Sequence, residues 1–206
     1  FVVRCEPWAD NSPMPLAADY VIRDYTSSDE QSWLRCRILS FLTTAYFDDV
    51  VTTKPTVEAP GFELVAINTD DIVIGLIDVT NDDTVGTINT LAVHPDHLRR
   101  GIARTLLSHA VTRGHAQHLT ALSAWTRDDP TALHWYRTMG FIETDHYLHV
   151  FANRNADPAE PDRAVDSVRP GLQLMSAFLH ADLADEPLLR RQFTRIHVCR
   201  RFTRAL

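Results

Sequence analysis

The chain has 206 residues, of which 45% are hydrophobic and 23% are charged. These are the proportions of an ordinary globular protein, and the length suits one domain with an elaboration. The net charge of −7 excludes a general nucleic-acid binder, because such proteins need a basic surface to neutralise phosphates. The apolar runs are too short to span a bilayer, so we expect no membrane partner either.

The cysteines and the beginning of the chain bear on its compartment. Cys5, Cys36 and Cys199 are widely spaced and odd in number, which argues against a disulfide framework and favours a reducing compartment. No secretory leader is visible, although the chain begins at Phe1. We therefore expect a cytoplasmic protein with an N-terminal arm over residues 1–18 and a single domain over residues 19–206.

The first half of that domain alternates between strand and helix patterns. A helix is predicted to begin at Ser27-Ser28-Asp29-Glu30, with an apolar face that includes Trp33 and Leu42. Period-two alternation and flanking turn residues predict the strands around it. Those strands cover residues 19–25, 62–68, 72–79 and 86–93.

The second half continues with a basic helix after Gly101 and a shorter helix that Asp129 caps and Gly140 ends. Residues 152–190 are rich in proline and acids, so we expect an insert there, with a helix over residues 172–179. Further strands are predicted over residues 118–125, 141–151 and 193–202. The order of strands and helices predicts a mixed α+β domain.

One segment departs from the acidic character of the chain. Residues 97–127 contain five arginines and no aspartate or glutamate. Such a segment indicates either a local anion site or a helix whose arginines pair with acids elsewhere in the fold. The charge alone leaves both interpretations open.

The start of the basic helix favours the anion site. The N-terminus of a helix carries unpaired N–H groups and a partial positive charge, so cations are unfavourable there unless an anion binds. Arg99, Arg100 and Arg104 all lie at this end, and Gly101 allows a phosphate to approach the backbone closely. The glycines do not form a standard P-loop or dinucleotide-binding motif.

Two motifs carry a resemblance to a known family. "LAVHPDHLRRGIARTLL" resembles the coenzyme-A-binding segment of the GNAT family of N-acetyltransferases, which follows a strand ending in L-x-V-x-P. "WTRDDPTALHWYRTMGF" is similar to the later A-x-x-x-Y-x-x-x-G-F segment of the same family. The resemblance implies an α+β fold with a central mixed, mostly antiparallel sheet flanked by helices.

The resemblance also implies where acetyl-CoA binds. Leu98 stands where the family usually has Gln or Arg, and Asp129 stands where many members have an Asn that contacts the cofactor. We expect the main chain to hold the phosphates at the first position and Asp129 to serve only as a helix cap. The backbone of Leu91, Ala92 and Val93 is implied to pair with the pantetheine arm, and Leu98, Arg99, Arg100, Gly101, Ile102, Ala103 and Arg104 to surround the pyrophosphate.

Tyr136 matches the family tyrosine that protonates the departing thiolate. A phenol is protonated at neutral pH and is therefore a competent acid. The alternative is a core aromatic beside Trp135 and Phe141. Main-chain N–H groups around Val93 are expected to polarise the thioester carbonyl.

The sequence does not identify the general base. Asp78 and Glu63 are candidates, as is Asn89 acting through a water molecule. No metal site is expected, because His146 and His149 lie three apart on a predicted strand and so point to opposite faces.

The resemblance thus implies direct transfer of an acetyl group from acetyl-CoA to a primary amine. The acidic chain favours a cationic small molecule or a basic peptide as acceptor, in a cleft lined by the first helix, residues 44–60 and the insert. The alternative is a non-catalytic domain that senses or holds acyl-CoA. Homodimer formation through the insert is a further hypothesis, with contacts from Leu172, Leu174, Met175 and Phe178.

Overall fold

The computed structural model describes residues 19–206, and the predicted arm over residues 1–18 lies outside them. An eight-stranded sheet forms the centre of this part of the chain, in the spatial order β1-β2-β3-β4-β5-β8-β6-β7. Neighbouring strands are antiparallel except β4 and β5, which are parallel. The strands are β1 Tyr20–Asp24, β2 Phe62–Asn68, β3 Val73–Asp82, β4 Val85–Val93, β5 Ala121–Thr126, β6 Ile142–Asn153, β7 Ser176–Ala181 and β8 Arg195–Ala205.

Helices cover both faces of the sheet. The first helix packs over β3 and β4 around the fully buried Trp33. The second packs on the opposite face, where Ile102 and Leu106 enter the largest core cluster. Two short helices of the insert cover the far end of that same face. The helices are α1 Glu30–Phe41, α2 Ile102–Ala116, α3 Pro130–Thr138, α4 Glu160–Ala164 and α5 Glu186–Gln192.

The predicted α+β class and the order of the main elements are confirmed. The cap of α3 is confirmed as well, because the Asp129 side chain accepts a hydrogen bond of 2.9 Å from the Ala132 N–H. The predicted apolar face of α1 is partly wrong. Leu42 follows the end of the helix and is 59% exposed, whereas the charged Arg37 is buried. Arg37 is tolerated there because Asp49 accepts hydrogen bonds from its guanidinium through both the carbonyl and the carboxylate.

The helix predicted over residues 172–179 is wrong. Residues 176–181 form strand β7, which pairs with β6 from Ser176 opposite Asn153 to Ala181 opposite Leu148. Burial alternates along this strand, as expected when one face packs on a core and the other meets solvent. The unpaired edge of β6 supplied backbone hydrogen-bonding partners that no local pattern could indicate.

The insert is fastened to the sheet by a buried carboxylate. Glu160 has no exposed surface, and it accepts hydrogen bonds from the N–H groups of Asn153 and Thr194. Leu172, Met175 and Phe178 are exposed, and their part in a homodimer stays a prediction. Among residues 19–206, no helix is long and apolar enough to cross a membrane.

Candidate functional site

A gap opens in the middle of the sheet where its two parallel strands separate. β4 and β5 pair only from Val85 opposite Ala121 to Ile88 opposite Ala124. Beyond these pairs β4 continues to Val93 along β3, and β5 continues to Thr126 along β8. The facing edges of the two strands therefore part, and their backbone groups become available to a ligand.

A bulge in β4 marks the beginning of the gap. Asp78 on β3 pairs with Thr90, while the next residue, Val79, pairs with Ile88. Asn89 is therefore an extra residue on β4, and its side-chain amide donates to the Thr80 hydroxyl at 3.0 Å. A bulge bends the strand that carries it, so β4 turns away from β5 at this point.

The backbone of β4 beyond the bulge faces the gap in part. The His94 N–H donates to the Ile74 carbonyl at 2.9 Å. Because polar groups alternate in direction along an antiparallel ladder, those of Leu91 and Val93 point away from β3 and toward the gap. The Val93 carbonyl accepts a hydrogen bond of 2.8 Å from Ser40. Because of the same alternation, the backbone N–H and C=O of Ala92 point toward β3.

The turn after β4 exposes a run of N–H groups. Arg99 and Gly101 adopt left-handed backbone conformations, with φ of 62° and 77°. The first backbone bond of α2 runs from the Thr105 N–H to the Gly101 carbonyl. Within residues 19–206, no acceptor receives the N–H groups of residues 99–104. A Cβ built at Gly101 would meet no atom within 4 Å, so this concave backbone is open to a ligand. We call residues 98–104 the anion cradle.

The ion pairs of the basic segment differ between its two ends. Arg113 pairs with Asp24 at 2.7 Å and Arg127 with Asp48 at 3.3 Å, as expected for a helix and strand that are neutralised within the fold. Arg99, Arg100 and Arg104 are exposed and form no ion pair with a described residue. The positive charge at the cradle is therefore available to an anion.

The part of the chain that holds this site matches a known protein family. The sequence model of the acetyltransferase (GNAT) family matches residues 20–141, which contain the gap, the cradle and Tyr136. The chain belongs to the GNAT acetyltransferase family. The matched range covers more than half of this chain.

Solved structures of GNAT proteins share the fold at low sequence identity. The ribosomal-protein-S18-alanine N-acetyltransferase from Escherichia coli is 11% identical, with a TM-score of 0.56 over 90% of this chain and 93% of its own. A GNAT acetyltransferase from Elizabethkingia anophelis with acetyl-CoA bound is 16% identical, with a TM-score of 0.53 over 92% and 99%. Nourseothricin acetyltransferase is 15% identical, with a TM-score of 0.53 over 91% and 99%. No curated protein sequence matches the chain.

Tyr136 on α3 is 8% exposed. Its ring stacks on Phe202 at 5.4 Å and meets Phe141 edge-on at 5.3 Å. Burial raises the pKa of the Tyr136 phenol further above its ordinary value, so the hydroxyl is protonated at neutral pH. The residue packs as a core aromatic and also keeps the proton that a general acid needs.

Sequence reasoning missed a second tyrosine beside this one. The Tyr46 hydroxyl accepts a hydrogen bond of 2.7 Å from the Arg127 N–H, just past the end of β5. Its ring lies 4.4 Å from the Arg127 guanidinium carbon, and its proximity contributes to the raised pKa of Tyr136. No motif marks Tyr46; the only signal was its place within residues 44–60, which were expected to line the acceptor cleft.

The three candidate bases differ in their surroundings. Glu63 is ion-paired with Lys54, and the Asn89 amide is engaged by Thr80. Asp78 is 5% exposed, and its Oδ1 atom has no hydrogen-bond partner among the described residues. Burial raises the pKa of Asp78 to about 6, although the positive charge of Lys54 opposes the shift. Within residues 19–206, no group of three or more histidine, cysteine or acidic side chains is placed to hold a metal ion.

The raised pKa of Asp78 predicts an unusual pH dependence of stability. Asp78 binds a proton more tightly in the folded state than in the unfolded chain, so its contribution is fully present below about pH 4 and is lost as the pH rises through about 6. From pH 4 to pH 7.5, the free energy of unfolding should fall by about 2 kcal/mol more in the wild type than in Asp78→Asn. Urea unfolding at several pH values measures this difference. The exposed Asp70→Asn serves as the control, and identical slopes for all three proteins would contradict the prediction.

The cradle predicts a selective loss of coenzyme A binding in Gly101→Asp. The substitution adds a negative charge where the backbone N–H groups are open, so the affinity for coenzyme A should fall by at least about tenfold. Gly171→Asp is a matched control, because Gly171 also has a positive φ of 84° and open space around its Cα. Calorimetric titration gives both affinities, and equal affinities in the two variants would place the phosphates elsewhere.

Proposed function

We propose that the protein is an acetyl-CoA-dependent N-acetyltransferase that transfers the acetyl group directly to a primary amine. The observation that carries this proposal is the continuity of the gap with the anion cradle along one strand. The backbone of Leu91 and Val93 faces the gap, and the same strand leads after His94 into residues 98–104. A long ligand with a polyphosphate at one end and a reactive acyl group at the other fits this arrangement.

Each part of acetyl-CoA has a partner in this assignment. The N–H groups of residues 99–104 bind the pyrophosphate, with added charge from Arg99, Arg100 and Arg104. The gap-facing backbone groups of Leu91 and Val93 bind the pantetheine arm, while Ala92 between them keeps its polar groups on β3. Leu98 and Ala103 lie at the turn around the phosphates, and the buried Ile102 side chain anchors that turn to the core. The acetyl group then lies in the gap, near the bulge at Asn89.

The chemistry follows from this placement. The neutral amine attacks the thioester carbonyl carbon, so a C–N bond forms and negative charge develops on the carbonyl oxygen. The gap-facing N–H groups of Leu91 and Val93 stabilise that charge. Collapse of the intermediate breaks the C–S bond, and Tyr136 donates its proton to the leaving thiolate. The amine loses a proton to water or to Asp78, whose pKa of about 6 suits a base near neutral pH.

Both kinds of acceptor are represented among proteins of this fold. One solved structure is named a ribosomal-protein-S18-alanine N-acetyltransferase, after a protein acceptor, and another a nourseothricin acetyltransferase, after a small-molecule acceptor. A small molecule or a peptide amine therefore fits the proposal. We retain a cytoplasmic location and a homodimer as parts of the same hypothesis.

Ligand binding and thiol release test the proposal together. Acetyl-CoA at millimolar concentration should raise the melting temperature, since a ligand that binds only the folded state stabilises it, whereas NAD and ATP should have little effect. A pool of primary amines should then release free thiol from acetyl-CoA. Stabilisation without thiol release from any amine would favour the non-catalytic acyl-CoA-binding alternative, and no stabilisation would contradict both.

Replacement of Tyr136 by Phe should reduce turnover and leave the affinity for acetyl-CoA nearly unchanged. The phenol supplies the proton, and general acid catalysis typically contributes ~10²–10⁴-fold, while Phe preserves the stacking on Phe202. Tyr20→Phe is the control, because it removes a hydroxyl that contacts Thr105 on α2. The measurement is kcat with the most active amine of the pool. A kcat within about threefold of the wild type would reduce Tyr136 to a packing residue.

A further inference from the structure

A pocket lies on the α1 face of the sheet, beside the added strand β7. It is lined by Tyr147 from β6 and by His180, Ala181, Asp182 and Asp185 from the insert. The insert therefore supplies most of this lining. This role of the insert differs from the homodimer contact that the sequence suggested for it.

A row of aromatic rings connects the pocket to the gap. Trp125 is the first residue of β5 beyond its last pair with β4, so it stands at the mouth of the gap. Its ring meets Tyr147 edge-on at a centroid distance of 4.9 Å. The Tyr147 ring in turn lies 4.6 Å from His180. His180, which lines the pocket together with Asp182 and Asp185, is thus two ring contacts away from Trp125.

The pocket carries negative charge that the fold does not neutralise. Asp182 and Asp185 are exposed and form no ion pair with any residue of the described part. Arg190 on α5 pairs instead with Glu186 at 2.7 Å and with Asp128 at 3.8 Å. Carboxylates beside aromatic rings are the groups that bind an organic ammonium ion.

His149, which packs against His180 of the pocket, carries no positive charge that would repel a bound cation. His149 stacks on His180 at 5.1 Å, and its Nδ1 atom accepts a hydrogen bond of 3.2 Å from the Arg127 Nε–H. Burial lowers the pKa of His149 to about 4, so the ring is neutral near pH 7. Its Nε2–H then donates to the Tyr147 hydroxyl at 3.1 Å and holds that side chain in place.

We propose that this pocket binds a second, non-reacting ammonium group of the acceptor, and that the acceptor is therefore a diamine or polyamine. The reacting amine lies at the gap near Trp125, and a chain of methylene groups passes along the Tyr147 ring to Asp182 and Asp185. The assignment rests on the proposed function, because it names the acceptor class of that same site.

Arg201, which lies on the same face, would favour an anionic acceptor. Arg201 is in register with Trp125 on β5 and Asp145 on β6, so its side chain shares their face. Its Nε atom is buried without a hydrogen-bond partner among the described residues. An amine that carries a carboxylate would be recognised by Arg201. The lining of this pocket includes the two carboxylates and does not include Arg201, which favours the cationic acceptor.

Three amines of matched chain length distinguish these acceptors. The probes are 1,5-diaminopentane, pentylamine and 5-aminopentanoate, whose far ends are cationic, neutral and anionic. With saturating acetyl-CoA, kcat/KM should be at least about tenfold higher for the diamine than for pentylamine, and lowest for 5-aminopentanoate. A preference for 5-aminopentanoate that Arg201→Gln abolishes would overturn the proposal in favour of an acidic acceptor.

The double variant Asp182→Asn/Asp185→Asn tests the residues themselves. It should raise KM for the diamine, remove most of the preference over pentylamine and leave KM for acetyl-CoA unchanged. Asp166→Asn is the control, because Asp166 is an exposed acid of the same insert that does not line the pocket. A preference that survives in the double variant overturns the assignment.

The proposal can fail separately from the acetyltransferase function. Turnover of none of the three amines, by a protein that acetyl-CoA stabilises against heat, would overturn the diamine assignment and leave the acetyl-CoA site intact. Absence of stabilisation by acetyl-CoA would instead overturn the proposed function, and the diamine assignment with it.

Discussion

The short parallel ladder between β4 and β5 is the constraint on which the candidate site depends. The two strands pair from Val85–Ala121 to Ile88–Ala124 and then separate. Were the ladder continued, the backbone of Leu91 and Val93 would be satisfied within the sheet, and no ligand could bind there. The bulge at Asn89 turns β4 away from β5. Beyond the last pair each strand is held only on its other edge, β4 by β3 and β5 by β8.

The same arrangement places three arginines at the end of the gap. The crossover from β4 to β5 runs through α2, so the N-terminus of that helix lies just past the end of β4. Arginines at a helix N-terminus are unfavourable by about 0.3–1 kcal/mol each, since they face the positive end of the helix dipole. Arg99, Arg100 and Arg104 find no carboxylate among the described residues to offset this cost. A bound anion at this position would remove the repulsion.

Local patterns predicted the main elements well and failed in two places. The strands, the basic helix and the Asp129 cap were confirmed, because each depends on residues close together in the sequence. The helix over residues 172–179 was wrong, because β7 forms on the free edge of β6, and that edge exists only after the chain folds. The buried side of α1 was partly wrong, since Arg37 is held by Asp49 from the following loop.

The sequence by itself determined the α+β class, the family and the position of the anion cradle, because the turn, Gly101 and the arginines are contiguous. It also singled out Tyr136 through a local motif, although the role of that residue stays a prediction. Only the tertiary structure brought Tyr46 to the end of β5 and joined Trp125, Tyr147 and His180 into one surface. These residues are distant in the chain, and they meet because β8 lies between β5 and β6 and because β7 pairs with the outer edge of β6. Strand order of this kind is set by long-range pairing, which local sequence patterns do not indicate.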